Sequence, residues 1–348
     1  MANKLSLANK YRPQTFDDIV EQDSIKVVIQ NQIATNNLKH AYLFCGGAGT
    51  GKTSSSRIIA NTMNEGQAKP IELDCASHNG VDDMRMIIEE CRTKPIGSKY
   101  KIIILDECHM LTVQAWNSLL KILEEPPAYV IFIFCTTDPQ KILPTILSRV
   151  QRFNFQRISV EGIYNRLIYI INSENQERRL IGQAPIQYEP EAIRYIARLA
   201  KGGMRDSITT LEKCLDYNYT SLTIDIVSKV VSGNVTEGTL LTLTKYVMEK
   251  DIKNTLLYFN SIYMGGIDVS LFIKLYVEFI QNCTKYLMTY VADITILSNT
   301  TIEWLNTVAP HSGKFVEMLD SGLAIRNNYN SEDLKIIIES WLLKICRL

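Results

Sequence analysis

Hydrophobic patterning divides the chain into two regimes. Up to about residue 155, short apolar runs alternate with longer stretches whose apolar residues recur at helical spacing. The runs at 41–45, 70–74, 101–106, 130–135 and 151–155 predict strands, and helix-length segments separate the first four. Ile102-Ile103-Ile104-Leu105 is apolar at consecutive positions, which suits a parallel sheet covered on both faces. That order predicts an α/β domain with right-handed crossovers and ligands at the carboxyl ends of its strands. After Phe155 the strand signals stop. From Val160 to about Val231 the pattern predicts short amphipathic helices, with one stripe of Ile163, Leu167, Ile170 and Ile171 and another of Ala192, Ile193, Ile196 and Leu199. Ser232-Gly233-Asn234 reads as a joint. The rest again predicts helices, with a stripe of Leu271, Ile273, Leu275, Phe279 and Ile280. Three domains are expected: 1–158, α/β with a parallel sheet; 159–232, helical; and 233–348, all-helical.

Composition narrows this picture. Hydrophobic residues make up 46% and charged residues 21% of the 348 residues, so the chain is globular. Thirty-seven basic residues balance 37 acidic ones, so a nucleic-acid partner would need a local basic patch. No apolar stretch reaches bilayer length and the N-terminus lacks a signal-peptide core, which predicts a cytosolic protein without a membrane partner. The eight cysteines form no C-x-x-C pair and read as buried hydrophobes rather than zinc ligands or disulfides.

Candidate chemistry begins at Gly46-Gly47-Ala48-Gly49-Thr50-Gly51-Lys52-Thr53, which fits the phosphate-cradling pattern G-x-x-x-x-G-K-[ST]. A strand-like run precedes it and a helical segment follows, the context this motif requires. Its glycines let backbone N–H groups turn around an anion, and the helix N-terminus adds positive charge. Lys52 is placed to neutralise the β- and γ-phosphates of a nucleoside triphosphate, and Thr53 to hold Mg²⁺. Ile102-Ile103-Ile104-Leu105-Asp106-Glu107 is an apolar strand ending in two carboxylates, the Walker B pattern. Asp106 there serves Mg²⁺, and Glu107 polarises the attacking water. His109 reads as a polar contact of that loop or as a coupling residue. Thr136-Thr137-Asp138 is either a strand-end turn before Pro139 or a polar group beside Asp106. Arg149 and Arg205 suit phosphate recognition, but taken singly they read equally as surface charges.

The order of these elements is recognisable. Lys10-Tyr11-Arg12-Pro13-Gln14-Thr15-Phe16, Asp18-Ile19-Val20, the P-loop, Asp106-Glu107-Cys108-His109-Met110-Leu111, Leu119-Leu120-Lys121-Ile122-Leu123-Glu124-Glu125-Pro126-Pro127, Thr136-Thr137-Asp138-Pro139-Gln140-Lys141 and Ile146-Leu147-Ser148-Arg149 follow one another. Together they closely resemble the gamma/tau family of bacterial DNA polymerase III, the AAA+ motor of the sliding-clamp loader. The specific matches cover about residues 5–215; the remainder resembles the helical collar only in length and pattern. The resemblance implies an ATPase core, a helical lid and an oligomerising collar. It puts Tyr11, Arg12 and Val20 near the adenine and makes Thr137 the sensor 1 residue. Arg149 becomes an arginine finger acting in trans, and Arg205 the sensor 2 residue. It also implies ATP and Mg²⁺ as ligands. Implied partners are other loader subunits in a ring, a pentamer, together with the sliding clamp and primer–template DNA. Arg85, Arg92 and Lys94 are candidate phosphate-backbone contacts to that DNA.

Two departures qualify the match. Asn64-Glu65-Gly66-Gln67-Ala68-Lys69 stands where the family carries a Cys-rich zinc module, so no zinc is expected. Ser148-Arg149-Val150 replaces Ser-Arg-Cys, keeping an apolar third position. No counterpart of the long tau extension is recognised, and a short form from a phage, a mobile element or an AT-rich bacterium fits the composition. A non-hydrolysing stator and a branch-migration or defence ATPase on the same core are the alternative readings; the Glu-Glu-Pro-Pro and Thr-Thr-Asp-Pro-Gln blocks favour the loader.

Overall fold

The computed structural model describes residues 5–232, 235–328 and 334–348. The chain packs as two compact units, Met1–Pro185 with Ile196–Glu212, and Ile186–Tyr195 with Lys213–Leu348.

The first unit contains β1 (Ala41–Cys45), β2 (Ile71–Asp74), β3 (Lys101–Asp106), β4 (Val130–Thr136) and β5 (Gln151–Asn154). They form one parallel sheet in the order β2-β3-β4-β1-β5. All five match the expected strands within a residue at either end. The consecutive apolar residues divide between the faces. Leu43, Ile103, Leu105, Phe132 and Phe134 pack on α4 (Val81–Arg92) and α5 (Val113–Glu124), through Met84, Ile87, Trp116 and Leu119. Tyr42, Phe44, Ile102, Ile104, Ile131 and Ile133 pack on α2 (Asp23–Ala34) and α3 (Lys52–Met63), through Ile25, Ile29, Ile59 and Met63. Strands covered on both faces have no polar side to alternate with, which explains the unbroken runs. The unit also holds α1 (Leu7–Lys10), α6 (Pro144–Leu147) and α7 (Val160–Leu180); the expected stripe of α7 is fully buried.

Helices α8 (Pro190–Leu199) and α9 (Met204–Tyr217) each contribute to both units. In the second unit, Gln187–Tyr188 (β6) and Ser221–Leu222 (β7) pair in parallel, although the pattern after Phe155 predicts only helices. A two-residue strand is too short for alternation to register in sequence. The remaining helices are α10 (Ile224–Ser232), α11 (Glu237–Met248), α12 (Ile252–Met264), α13 (Val269–Thr289), α14 (Asn299–Val308), α15 (Ser312–Asn328) and α16 (Leu334–Arg347). Helix α13 is central among them. Its Phe272, Ile273, Tyr276, Phe279 and Ile280 share one core with Phe315 of α15 and with Ile338 and Trp341 of α16. Gly233 and Asn234 of the expected joint lie outside the described residues. Among the described residues no helix is long and apolar enough to cross a membrane.

Candidate nucleotide-binding site

Strand β1 ends at Cys45, the glycine loop follows, and α3 begins at Lys52. Gly49 and Gly51 lie in the left-handed region, at φ 71° and 101°. Side-chain-bearing residues reach it at a cost, so glycine there shapes the cradle. At the base of the loop, the Gly46 N–H donates to the Thr136 carbonyl of β4 at 3.2 Å. Lys52 is buried, and its Nζ donates to the carbonyls of Gly46 and Gly47 at 2.8 Å each. Its charge is thereby fixed at the loop rather than swinging in solvent. The Thr50 hydroxyl donates to Gly47 O at 2.9 Å and stiffens the turn carrying Ala48.

The carboxyl end of β3 faces this loop. Thr53 Oγ1 donates to Asp106 Oδ2 at 2.7 Å, so the two expected Mg²⁺ ligands already touch. A hydroxyl beside a carboxylate is a hard oxygen donor set, which fits that ion. Glu107 adopts φ 46°, ψ 42°, unusual for a residue with a side chain, and its N–H donates to Asp106 Oδ1 at 3.0 Å. Such backbone strain persists where the surroundings over-determine it. At its carboxylate, Thr137 Oγ1 donates to Glu107 Oε2 at 3.1 Å, and His109 Nδ1 lies 3.3 Å from the same oxygen. The ring nitrogen is also 3.2 Å from Thr136 Oγ1. The polar group expected beside the acidic strand end is therefore present, because β3 and β4 are neighbours in the sheet.

A cavity of about 440 Å³ opens above these strand ends. Ala48, Gly49, Thr50, Gly51, Lys52 and Thr53 line it with Asp106 and Glu107, and Tyr11, Arg12 and Val20 line it too. The Tyr11 hydroxyl donates to Glu174 Oε1 of α7 at 2.9 Å. Burial, reinforced by Glu174, pushes the Tyr11 phenol well above its ordinary pKa, so it remains a neutral donor. Lys10 bridges Glu174 and Glu177, pinning the N-terminal segment to α7. Burial opposes the charge on Asp18, but hydrogen bonds from Gln14 and Thr15 prevail and lower its pKa, fixing the loop before Val20.

Arg205 also lines the cavity, brought there by a close approach of two glycines. The Met204 N–H donates to Gly49 O at 2.9 Å. A Cβ on Gly49 would stand 3.1 Å from the Cα of Gly203 and 3.3 Å from the Arg205 nitrogen. A side chain there would force the phosphate loop and the turn that carries Arg205 apart by a few tenths of an ångström.

Not every expected residue faces the cavity. Thr137 reaches the site through Glu107 alone. Gly46 and Gly47 contribute the carbonyls that hold Lys52. Arg149 lies between α6 and β5, exposed and away from the cavity lining. Arg85 and Arg92 are exposed on α4, paired with Asp82 and Glu89, and Lys94 is exposed just beyond that helix. Sequence reasoning missed Arg166, Ser54 and Arg57, which line the cavity. Arg166 Nη2 donates to Tyr11 O at 3.1 Å across 155 residues of chain, and no motif marks it. All eight cysteines are buried and unpaired as disulfides. Among the described residues no three His, Cys, Asp or Glu side chains cluster as a metal site.

A family model described as DNA polymerase III, delta subunit, matches residues 74–159. The tau subunit of DNA polymerase III from Bacillus subtilis is 34% identical over 302 residues, covering 81% of this chain and 52% of that protein. The Escherichia coli tau subunit is 32% identical over 283 residues, covering 75% of this chain and 42% of that protein. The chain thus spans about half the length of these tau proteins. The gamma subunit of Buchnera aphidicola subsp. Acyrthosiphon pisum is 34% identical over 283 residues, 75% of each chain. Among solved structures, the Thermotoga maritima RuvB Holliday junction branch migration motor aligns over 68% of this chain and 79% of that one, with TM-score 0.50 and 20% identity. That likeness concerns the AAA+ fold alone. Identity above 30% across three quarters of a relative's length settles the family, in agreement with the order of the motifs: this chain belongs to the gamma/tau family of DNA polymerase III subunits.

Proposed function

We propose that the chain is an ATP-hydrolysing motor subunit that opens a sliding clamp and loads it onto primer–template DNA. The observation that carries this reading is the convergence of Lys52, Thr53, Asp106, Glu107 and Arg205, drawn from three separated segments, on one cavity. Tyr11, Arg12 and Val20 take the base, while Lys52 and the backbone N–H groups from Ala48 to Thr53 take the phosphates. Thr53 and Asp106 would hold Mg²⁺, which would supply positive charge to the bound phosphates. Glu107, oriented by Thr137, polarises the water that attacks the γ-phosphorus as the bond to the bridging oxygen breaks. Arg205 steadies the γ-phosphate in its own subunit, and Arg149 does so for a neighbour's.

The wider reading follows from the family. Residues 1–158 serve as ATPase core, 159–232 as lid and 233–348 as collar of a ring, a pentamer with other loader subunits. The protein works without zinc in the cytoplasm of a bacterium or a phage-infected host. Lys52→Ala is expected to abolish nucleotide binding, whereas Glu107→Gln keeps binding and stops hydrolysis. Equal loss of ATP affinity in both variants refutes the separate roles. ATPase stimulated by clamp with primed DNA supports the loader; stimulation by branched DNA alone refutes it in favour of a branch-migration motor.

A further inference from the structure

Arg149 does not project freely from the subunit. Its Nη2 donates to Glu124 Oε1 at 2.5 Å, and its Nη1 donates to Thr145 O at 2.6 Å and Ser148 Oγ at 3.1 Å. Both terminal nitrogens, the pair a guanidinium offers to a phosphate, are thus engaged within its own chain. Glu124 is the last residue of α5. Its carboxylate is half-exposed and no cavity-lining residue touches it through this pair. Neither member of the pair lines the nucleotide cavity of its own subunit.

We propose that Glu124 is a positioning residue that parks Arg149 until a neighbouring nucleotide competes it away. The inference rests on the reading of Arg149 as a finger acting in trans. A carboxylate and a γ-phosphate are rival anions for the same two nitrogens, so the finger reaches a neighbour only by releasing Glu124. The backbone carbonyl of Thr145 and the Ser148 hydroxyl are neutral acceptors and hold the arginine less strongly than the carboxylate does. The restraint is mild by construction. An ion pair this exposed shifts an equilibrium by about 5-fold at most, against the 10³–10⁵ in rate that a trans arginine supplies in GTPases. Glu124 thus sets how often the finger engages without setting what it does on arrival. It holds down hydrolysis before DNA has ordered the interface.

The test is steady-state ATPase of the loader assembled from the full chain, its partner subunits and the clamp, with and without primed DNA. Glu124→Gln and Glu124→Ala should each raise the DNA-independent kcat about 2–5-fold. KM for ATP should stay unchanged, because neither member of the pair lines the pocket. The DNA-stimulated kcat should change less, so the stimulation ratio falls. A merely structural role for Glu124 would lower kcat or the melting temperature and leave that ratio alone. In the double variant with Arg149→Ala the gain should vanish. An unchanged or reduced DNA-independent kcat in both single variants, or a gain that survives loss of Arg149, overturns the proposal. If Arg149→Ala itself leaves DNA-stimulated hydrolysis intact, the trans role fails and the parking role falls with it. If Arg149→Ala is crippling and the Glu124 variants are inert, only the parking role fails.

Discussion

Gly49→Ala probes how the phosphate loop and Arg205 are held together. The new methyl would sit 3.1 Å from the Gly203 Cα and 3.3 Å from the Arg205 nitrogen, both backbone atoms that cannot swing aside as a side-chain tip would. Gly49 is also at φ 71°, where a residue with a Cβ is disfavoured by about 1–2 kcal/mol. The contact most exposed to the shift is the 2.9 Å hydrogen bond from Met204 N–H to Gly49 O. A bond of this kind contributes about 0.5–1.5 kcal/mol net. Together these predict a loss of about 2 kcal/mol and a melting temperature lower by several degrees. The functional signature is more selective. Displacing the turn withdraws Arg205 from the γ-phosphate, a charged hydrogen bond whose loss weakens binding by about 10–100-fold. ATP analogue affinity should fall by that factor relative to ADP affinity, measured by equilibrium titration with fluorescent nucleotides. Arg205→Ala should reproduce the selective loss without the thermal destabilisation, and the double variant should lose no more ATP preference than either single one. If Gly49→Ala keeps both its melting temperature and its ATP:ADP ratio, the close approach does not position Arg205. If Arg205→Ala leaves the ratio unchanged, Arg205 does not read the γ-phosphate.

Three further outcomes are expected. Thr137→Val removes the 3.1 Å bond to Glu107 and should lower kcat about 10–100-fold at unchanged nucleotide affinity; a change confined to KM would contradict this. Burial raises the Cys75 and Cys91 thiols to about 12, so the native state retains protons that the unfolded chain releases from about pH 9. Stability should therefore fall as pH rises from 9 towards 12, and a flat profile of chemical-denaturation midpoints over that range would refute it. Metal analysis of protein purified without added zinc should find less than about 0.1 equivalent, and a stoichiometric value would overturn the reading of residues 64–69.

Strands β1, β3 and β4 are legible in the sequence because each is covered on both faces, whereas β2 and β5 alternate with exposed Glu72, Asp74, Arg152 and Asn154. Ile102 and Ile104 serve one core while Ile103 and Leu105 serve the other, so all four positions had to be apolar. Strands β6 and β7 are not legible for the opposite reason. Gln187–Tyr188 and Ser221–Leu222 are two residues each, with exposed or half-buried positions beside the buried Leu222. The site divides along a similar line. The segment from Gly46 to Thr53 and the Asp106–Glu107 pair are contiguous and announce themselves by spacing. Arg166 acts on Tyr11 across 155 residues, and the Glu124–Arg149 pair spans 25, so only the folded chain shows those partners.

The Thr136-Thr137-Asp138 segment is the instructive case, because a strand-end turn and a polar group beside the acidic strand end do not exclude each other. The Asp138 N–H donates to Thr136 Oγ1 at 3.0 Å, which makes the strand-end turn. That turn leaves Thr137 pointing at Glu107 and brings the Thr136 hydroxyl to His109. The sheet order supplies what the segment alone lacked. With β4 between β1 and β3, its carboxyl end lies between the phosphate loop and the acidic strand end. Thr136 O accepts from Gly46 N–H on one side, while the Thr136 and Thr137 hydroxyls meet the His109–Glu107 loop on the other. Thr136, the last residue of β4, therefore touches both sides, and Thr137 just beyond the strand touches one. His109 and Thr137 meet the same Glu107 oxygen, so the two residues whose roles are open in the sequence restrain the carboxylate proposed to polarise the attacking water.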